Sequence, residues 1–558
     1  MDSCFKMPLF SSVSGIWRAA KFLWRDGGRK FKMRPMMQGS REFDYEVIVI
    51  GGSLSGAALA TLVLKENPAL RVLVVEKSEK FTRRVGEATV EVSAYFLGRV
   101  LGLTQHLNES HLVKQGMRFW FHNAETKSLD QASEIGGKFQ ARLPSYQLDR
   151  AVFDEEVLRR AVELGAELRR PAQVTAVELG TGSSQVTIKE GDQTVTLRAR
   201  WVVDASGVAA LLARKNGWFK MNDLHPTAAA WARWQGVKDW DGPEFATRFP
   251  DWFARCYGVR GTATNHIVGD GWWSWWIPLK GGDVSVGVVF DQRLNEFPGE
   301  GQPIAGRLRQ FLQQHPVARE LLEHAQPVEG DALWRRNLAY SSTTFAGDGF
   351  ALVGDASAFI DPFYSPGMDW ISFTTTATAA LIAAQQRGEP MAPLVERHNA
   401  HFSRAYTRWF QAIYQDKYEY LGDYELMSAA FRLDLGLYYL GIVSQPFKFG
   451  PKALMIPPFV PAVSTPIFHF IRTYNRRLAK MARNRRRRGV HGRANSGHNL
   501  LVPGYTFGAV NAWLLAKAVG AWLRLELKEG WRTWFTAEKA AAMKTPAEMP
   551  AKAEAQAA

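Results

Sequence analysis

The sequence predicts an α/β protein with a Rossmann-type nucleotide-binding domain, a β-sheet substrate domain and a mostly helical C-terminal region. Three observations lead to this fold class. A glycine-rich turn joins two apolar runs near residue 50, strand-like runs fill the middle of the chain, and helical spacing dominates after Gly388. With 558 residues, 46% of them hydrophobic, the chain can bury a large core shared by two or three coupled parts.

The first predicted element is a nucleotide-binding turn between two strands. Tyr45 to Ile50 is almost continuously apolar, as in a buried parallel strand, and Arg71 to Glu76 forms the second strand. The glycines between them let a pyrophosphate approach a helix N-terminus, and the terminal acid can bind a ribose hydroxyl. Ser53 replaces the middle glycine of the usual Gly-x-Gly-x-x-Gly. The residues predicted to bind the dinucleotide are Gly51, Gly52, Ser53, Ser55, Gly56, Glu76 and Lys77.

Three later segments indicate which dinucleotide is bound. Ser145 to Asp154 opens a helix, Trp201 to Gly207 reads as a strand and turn, and Phe350 to Ala356 reads as a second fingerprint. Their order and spacing resemble the family of p-hydroxybenzoate hydroxylase and its halogenase relatives, over roughly Asp44 to Gly388. The resemblance implies FAD rather than NAD. The FAD contacts it implies in these segments are Gln147, Arg150, Asp204, Gly354 and Asp355.

The most aromatic stretch of the chain holds four tryptophans in five positions, from Trp272 to Trp276. On a strand, Trp273 and Trp275 share one face, while Trp272 and Trp276 point to the other, and Pro278 ends the pairing. An aromatic core strand is the plain interpretation. The spelling Trp-x-Trp-x-Ile-Pro also resembles the signature of flavin-dependent halogenases. That resemblance implies that Trp273 and Trp275 separate the flavin from a substrate chamber.

A segment after the second strand, and a lysine beyond it, have the spacing found in that family. Arg84 to Thr89 resembles the Gly-Glu-(Ser/Ala)-Thr segment that halogenases place along the flavin, without the usual following proline. Lys114 lies where the resemblance implies the lysine that receives hypohalous acid, a role that needs an amine to bind HOX or form a haloamine. The plain alternative is an exposed lysine at a strand start. The flavin contacts implied here are Gly86, Glu87, Ala88 and Thr89.

A further match follows the second fingerprint. Phe359, Pro362, Ser365 and Gly367 fit the halogenase pattern Phe-x-x-Pro-x-x-Ser-x-Gly, which implies a segment running past the flavin ring into a helix. The amides of such a helix N-terminus can hold a halide. The resemblance assigns a catalytic role to Ser365. It assigns flavin contacts to Pro362, Gly367 and Met368.

Two residues of this segment depart from the halogenase pattern. Pro366 stands where halogenases usually carry Ser or Thr, and proline has no amide hydrogen to donate, so the halide site must differ or be absent. Tyr364 stands where tryptophan halogenases carry a glutamate. We therefore expect a phenol, a pyrrole or a larger aromatic substrate rather than free tryptophan.

The resemblance implies a complete reaction. Reduced FAD (FADH2) from a separate flavin reductase reacts with O2 and with chloride or bromide to give HOX, and Lys114 directs halogenation of a free or carrier-tethered aromatic. Three alternatives stay open: an FAD monooxygenase that hydroxylates or epoxidises an apolar substrate, which Pro366 favours; a flavin-dependent reductase of lipid-like double bonds; and a non-catalytic flavoprotein or membrane-docked binding partner.

The predicted domain organisation has four parts. A basic amphipathic extension spans 1–42, the FAD-binding domain spans 43–388 with the substrate domain interleaved at about 208–329, helices occupy 389–535, and a mobile tail spans 536–558. The two cysteines, Cys4 and Cys256, suggest neither a disulfide framework nor a metal site, and no metal is expected.

The net charge of +15 is concentrated in the first forty residues and between Arg472 and Arg493. No nucleic-acid motif accompanies these basic residues, so we expect no nucleic-acid partner. They form either a solvated face or a surface that contacts a membrane. Residues 13–24 show the spacing of a short interfacial helix, which could equally dock on the protein's own body. Phe507 to Leu523 predicts a buried or surface-lying helix rather than a membrane span. No secretory signal is evident, and the expected location is cytoplasmic, with attachment to the inner face of a membrane as the alternative.

Overall fold

The nucleotide-binding unit forms a predominantly parallel sheet. The structure is a computed structural model that describes residues 42–503 and 509–534; the helix predicted at 13–24 and the tail predicted at 536–558 lie outside these ranges. The strands of this sheet run in the order Ala346–Gly347, Phe350–Leu352, Gln193–Asp204, Tyr45–Ile50, Val72–Val75 and Glu167–Arg169. The pairs at its centre are parallel, and their Val and Ile side chains are buried, as the apolar runs predict.

Helices cover this sheet and complete the predicted Rossmann-type α/β fold. The main ones are Leu54–Glu66, Arg150–Glu163 and Gly367–Gln386. An antiparallel hairpin, Gln173–Glu178 with Ser184–Glu190, continues the sheet beyond the strand Gln193–Asp204. Two small sheets adjoin it, formed by Leu112–Val113 with Tyr146–Gln147, and by Phe219–Met221, Tyr340–Ser342 and Ala358–Phe359.

A nine-stranded mixed sheet forms the second layer, and the tryptophan strand lies near its centre. Its strand order is Gln326–Pro327, Thr227–Gln235, Val284–Asp291, Trp272–Pro278, Thr264–Gly269, Met117–Phe121, Ser133–Gly137 and Asn499–Val502, with Leu333–Arg336 also paired to Thr227–Gln235. The sheet therefore takes strands from well outside 208–329, including one from beyond residue 490. Its interior holds Glu134, which accepts hydrogen bonds from the fully buried guanidinium groups of Arg118 and Arg260.

The tryptophan strand separates two hydrophobic cores, as its alternation predicts. Trp273 and Trp275 lie in the large core that continues into the FAD-binding domain. Trp272 and Trp276 lie in a second core, on the other face of the sheet. Gly287 on the neighbouring strand leaves room for Trp275, because a Cβ there would overlap the indole ring. The predicted arrangement of the four indoles is confirmed.

Helices dominate the region after Gly388, as predicted. The long ones are Met391–Trp409, Tyr424–Tyr438, Ser464–Arg487 and Ala509–Lys528, and shorter turns are Phe410–Tyr414, Lys417–Glu419, Tyr439–Val443, Ser444–Phe449, Pro451–Met455 and Gly530–Thr533. In the described residues one helical stretch, Tyr424–Phe449, is long and apolar enough to cross a membrane by length and composition alone. Of an apolar 18-residue window in this stretch, 61% is buried inside the protein, a property shared by core helices.

Short helices lie between the strands, several of them between strands of the same nine-stranded sheet. They are Glu91–Tyr95, Phe96–Val100, Thr104–Ser110, Leu129–Gln131, Gly207–Ala209, Leu211–Lys215, Pro243–Arg248, Pro250–Phe253, Ile304–Leu312, Pro316–Leu321 and Gly354–Ala356. The first of these helices follows the Gly-Glu-Ala-Thr segment directly, and Gly354–Ala356 is the turn of the second fingerprint. Both therefore border the predicted flavin site.

Candidate active site

The glycine-rich turn has the shape that a dinucleotide needs. Gly51 has a φ of +100°, and a Cβ there would lie 2.6 Å from the carbonyl oxygen of Ala205, so only glycine fits. A Cβ on Gly56 would overlap the carbonyl oxygen of Gly51. At the end of the second strand, the Glu76 carboxylate accepts a 2.8 Å hydrogen bond from the amide of Gly52. The turn is thus a backbone cradle closed by an acid.

The helix that follows the turn has no side-chain cap, because Ser53 is engaged elsewhere. The Ser53 hydroxyl donates to Asp154 at 2.9 Å and accepts from Arg150 at 3.4 Å. Arg150 also binds the fully buried Asp154 carboxylate, with distances of 3.1 Å to both oxygens, and donates to the carbonyl of Gly86 at 3.1 Å. The first amides of helix Leu54–Glu66 therefore remain available for a pyrophosphate.

The second fingerprint meets the first at a close contact. Gly354 has a φ of +57°, and a Cβ there would overlap the Ser55 hydroxyl. Burial raises the pKa of the adjacent Asp355 to about 6, although the positive charge of Arg150 opposes this shift. The same turn is fixed by the Thr374 hydroxyl, which accepts a 2.9 Å hydrogen bond from the Gly354 amide. These residues fit the FAD cradle that the sequence predicts.

Two further predicted FAD contacts, Asp204 and Lys77, border this cluster. The carboxylate of Asp204 is fully buried and accepts hydrogen bonds from the amides of Ser206 at 2.9 Å and Leu212 at 2.7 Å. Its side chain therefore holds the turn that follows the strand. Lys77 is exposed.

Lys114 is a buried amine, not the exposed lysine of the plain alternative. Only 1% of its surface is exposed, and Nζ donates to the carbonyl of Thr89 at 2.9 Å. Burial lowers the pKa of the amine to about 8, although the nearby acids Glu91 and Asp369 oppose the shift. The structure thus joins Lys114 to the Gly-Glu-Ala-Thr segment that the sequence places along the flavin.

Glu87 connects that same segment to the tryptophan strand. Its carboxylate is 3% exposed and accepts from Arg233 at 3.2 Å, while the indole N–H of Trp275 donates to Ser285 at 3.1 Å. Burial raises the pKa of Glu87 to about 7, against hydrogen bonds from Ser285 and Arg233. Ser285, which accepts the hydrogen bond from this indole N–H, lies close to the Glu87 carboxyl group.

Trp273 is held by a chain of buried polar groups. Its indole N–H donates to the Tyr418 hydroxyl at 2.8 Å, and this hydroxyl donates to Asp361 at 3.0 Å. His225 lies 2.7 Å from the same carboxylate oxygen. The Trp273 ring also contacts Phe363, with ring centroids 5.2 Å apart. The indole is consequently fixed in one orientation, between the FAD-binding domain and the C-terminal helices.

The predicted flavin-facing segment enters its helix through a strained turn. Tyr364 and Ser365 have φ values of +68° and +56°, a left-handed conformation that costs a non-glycine residue about 1–2 kcal/mol. The Ser365 amide donates to the Pro362 carbonyl at 2.9 Å, and Pro366 caps helix Gly367–Gln386 without an amide hydrogen. The Tyr364 hydroxyl donates to Asp434 at 3.1 Å. Met368 is buried, and Pro362, Ser365 and Gly367 are partly exposed.

Several residues of the site were missed in the sequence. Asp154 lies four residues after Arg150 on one helix, a spacing that could have found it. Asp369 follows Gly367 and Met368 directly; its carboxylate accepts from the Ser93 amide at 2.9 Å, and burial raises its pKa to about 7. His266, which stacks on Phe119 with ring centroids 4.8 Å apart, gave no sequence signal, since the fold alone brings it near Lys114.

The remaining predicted contacts also fall within the site. Ala88 forms an isolated bridge with Gln147, and the Gln147 amide donates to the carbonyl of Thr262 at 2.8 Å. With the cradle, the buried amine and the tryptophan strand in place, the fold and the site define a flavin-dependent oxidoreductase.

Comparison with known proteins gives the family. A family model described as tryptophan halogenase matches residues 46–141 and 124–416, and the chain belongs to this family. The flavin-dependent halogenase armH1 of Armillaria mellea is 27% identical over 387 residues, which are 66% of this chain and 70% of that protein. The 1H-pyrrole-2-carbonyl-(peptidyl-carrier protein) chlorinase of Pseudomonas fluorescens is 27% identical over 356 residues, 59% of this chain and 73% of that protein.

Solved structures agree in fold. The crystal structure of halogenase PltM in complex with phloroglucinol and FAD superposes with a TM-score of 0.68, at 18% sequence identity, over 87% of this chain and 98% of that chain. The predicted FAD-binding fold with a β-sheet substrate domain and helical C-terminal region is confirmed. The enzyme is a flavin-dependent halogenase by family.

Proposed function

We propose that this enzyme uses reduced FAD, O2 and a halide to make hypohalous acid, and delivers the halogen through Lys114 to an electron-rich aromatic ring. The observation that carries the proposal is the buried amine of Lys114, linked through the Thr89 carbonyl to the segment predicted to lie along the flavin. When bound, the flavin supplies the electrons that reduce O2 and so turn halide into an electrophile.

The environment of Lys114 suits an amine that receives a halogen. With a pKa of about 8, a useful fraction of the side chain is neutral near physiological pH, and a neutral amine has the lone pair that a haloamine requires. The Thr89 hydrogen bond orients Nζ, and its burial excludes the water that would hydrolyse the halogenating species. Lys114 thus holds and aims the halogen, while the substrate ring supplies the electrons of the new bond.

The residues that would hold FAD are those of the cradle: the turn Gly51 to Gly56, Glu76, the Arg150–Asp154 pair and the second fingerprint at Gly354. Trp273 and Trp275 would form the wall between flavin and substrate. The hydrogen-bonded chain Trp273–Tyr418–Asp361 supports this role. Because both the ring and the N–H of Trp273 are held, rotating the indole out of its position would break this hydrogen bond and cost free energy. A separate flavin reductase would provide the reduced cofactor.

The proposed substrate is a phenol, a pyrrole or a larger aromatic, either free or tethered to a carrier protein. Tyr364 supports this class over free tryptophan, since its hydroxyl is engaged with Asp434 and offers no carboxylate to polarise an indole. The names of related proteins are consistent with it: one relative is a chlorinase of a carrier-bound pyrrole, and PltM was solved with a phenolic compound, phloroglucinol. The halide would be held by amides at the start of helix Gly367–Gln386, beyond Pro366.

The test is an aerobic assay with a generic flavin reductase, NADH, FAD and bromide, against phenols, indoles and pyrroles, with products identified by mass spectrometry. We expect brominated product from wild type and none from Lys114→Met, which keeps the length of the side chain but removes the amine. Lys189→Met, at an exposed hairpin position, is the matched control and should behave as wild type. Flavin oxidation should continue in all three.

The competing activity has its own signature in the same assay. Product that gains one oxygen, with or without bromide, would identify a monooxygenase, the alternative that Pro366 favours. Brominated product from Lys114→Met at the wild-type rate would refute the role proposed for the amine.

A further inference from the structure

The last described helix, Ala509–Lys528, and the turn after it present an unusual surface. One side of this helix packs on helix Tyr424–Tyr438. The opposite side carries large apolar side chains that remain exposed, with Leu527 at 75%, Trp513 at 56% and Leu523 at 47%. Trp531 and Trp534 in the following turn are 51% and 54% exposed. Monomeric proteins rarely leave several such side chains together in water.

The charges on this helix are sorted by face. The exposed positions that alternate with the apolar ones are all basic: Lys517, Arg524, Lys528 and Arg532. The two acids between residues 509 and 534, Glu526 and Glu529, are turned inward and are 8% and 4% exposed. Glu526 is bound by Arg477 at 2.7 Å and Glu529 by Arg485, so neither acid offsets the outward positive charge.

A basic groove adjoins this apolar face. A mostly apolar depression of about 360 Å³ is lined by Trp522, Leu523, Leu527 and Trp534, together with Thr473 and the paired Arg477 and Glu526. Beside it lies a second depression of about 440 Å³, lined by Thr473, Arg476, Arg477 and Lys480 on helix Ser464–Arg487. Apolar volume next to clustered cations matches an amphiphile with a negatively charged head and an apolar tail.

We propose that this face, defined by Trp513, Leu523, Leu527, Trp531 and Trp534 with the four outward cations, docks on an anionic lipid bilayer surface. Indole rings and leucines enter the boundary between headgroups and acyl chains, and the cations contact lipid phosphates. Lys517 and Trp513 illustrate how cations and apolar rings lie together on this face. Nζ of Lys517 lies 3.5 Å from the centre of the Trp513 ring.

The experiment is flotation of the full-length protein with vesicles of phosphatidylcholine containing 30% phosphatidylglycerol, against vesicles of phosphatidylcholine alone, at about 0.1 M salt. We expect at least tenfold more protein on the anionic vesicles, and a loss of about tenfold in Leu527→Glu and in Lys528→Glu. The matched controls are Leu224→Glu and Lys189→Glu, exposed positions far along the chain from this face, and both should float as wild type.

Three results would overturn the proposal. The wild-type protein could stay in the aqueous fraction, as expected if residues outside the described ranges cover the face. Both variants on the face could retain binding, which would place the membrane contact elsewhere, such as in residues 1–41. Light scattering could show a wild-type dimer that Leu527→Glu dissociates without any vesicle binding, which would make the occupant a second copy of the chain. Circular dichroism and bound-FAD absorbance, unchanged in the variants, would establish that each is folded.

Discussion

The lowered pKa of Lys114 predicts a specific pH dependence of halogenation. With a pKa of about 8, the neutral fraction of the amine rises from about 9% at pH 7 to about 91% at pH 9. If the neutral amine receives the halogen, the product formed per flavin oxidised should rise about tenfold across this interval. An ordinary exposed lysine, with a pKa near 10.4, would still be mostly protonated at pH 9.

The assay measures halogenated product in single turnovers with chemically reduced FAD, normalised to flavin oxidation at each pH. Lys114→Met should give no enzymatic product at any pH, and its residual signal corrects for the reaction of free hypohalous acid with substrate. A yield that is flat from pH 7 to 9, or that falls through pH 8, would refute the argument. A falling yield would indicate that the ammonium form acts instead, as a hydrogen-bond donor to HOX.

Three further predictions concern the cradle and the core. Gly56→Ala should lower the free energy of unfolding, measured in urea, by at least about 2 kcal/mol and should abolish FAD retention, because the added Cβ overlaps the Gly51 carbonyl. The control Gly306→Ala changes a helical site with open space, so it should be neutral or stabilising by up to about 1 kcal/mol. Asp154→Asn should weaken FAD binding at least tenfold in a flavin-fluorescence titration, since it unpairs the arginine that braces the turn, and unchanged affinity would contradict this role. Glu134→Gln leaves two buried guanidinium groups without a counter-charge and should cost about 3–5 kcal/mol in guanidinium unfolding, whereas the exposed Glu190→Gln should change little.

The parts of the fold that could be predicted are those that depend on the pattern of neighbouring residues in the sequence. The first strand, its glycine turn and the alternation of the four tryptophans depend on residues within ten positions of each other, and all three appear as predicted. The burial of Lys114 does not follow from local periodicity, because the residue whose carbonyl fixes it, Thr89, is 25 positions away.

The parts that could not be predicted depend on distant partners. Arg485 belongs to a basic run whose plain interpretation is a solvated face, yet its side chain is fully buried and paired with Asp423 at 2.6 Å. Nothing in a run of arginines indicates which one turns inward, since the deciding carboxylates lie 44 and 62 residues away. The same reason hid His266, which becomes part of the site only when its strand pairs beside Met117–Phe121.

The parallel pairing of Asn499–Val502 with Ser133–Gly137 has a consequence for synthesis of the chain. His498 and Ser133, joined by a 3.0 Å hydrogen bond, are 365 residues apart. Strand Ser133–Gly137 can pair early with Met117–Phe121, but its other edge stays unpaired until residues 499–502 are made. An open edge of this kind invites pairing with other chains. Truncation before residue 499, for instance to remove the C-terminal helix for expression, would make that temporary exposure permanent and should yield aggregates rather than a smaller enzyme.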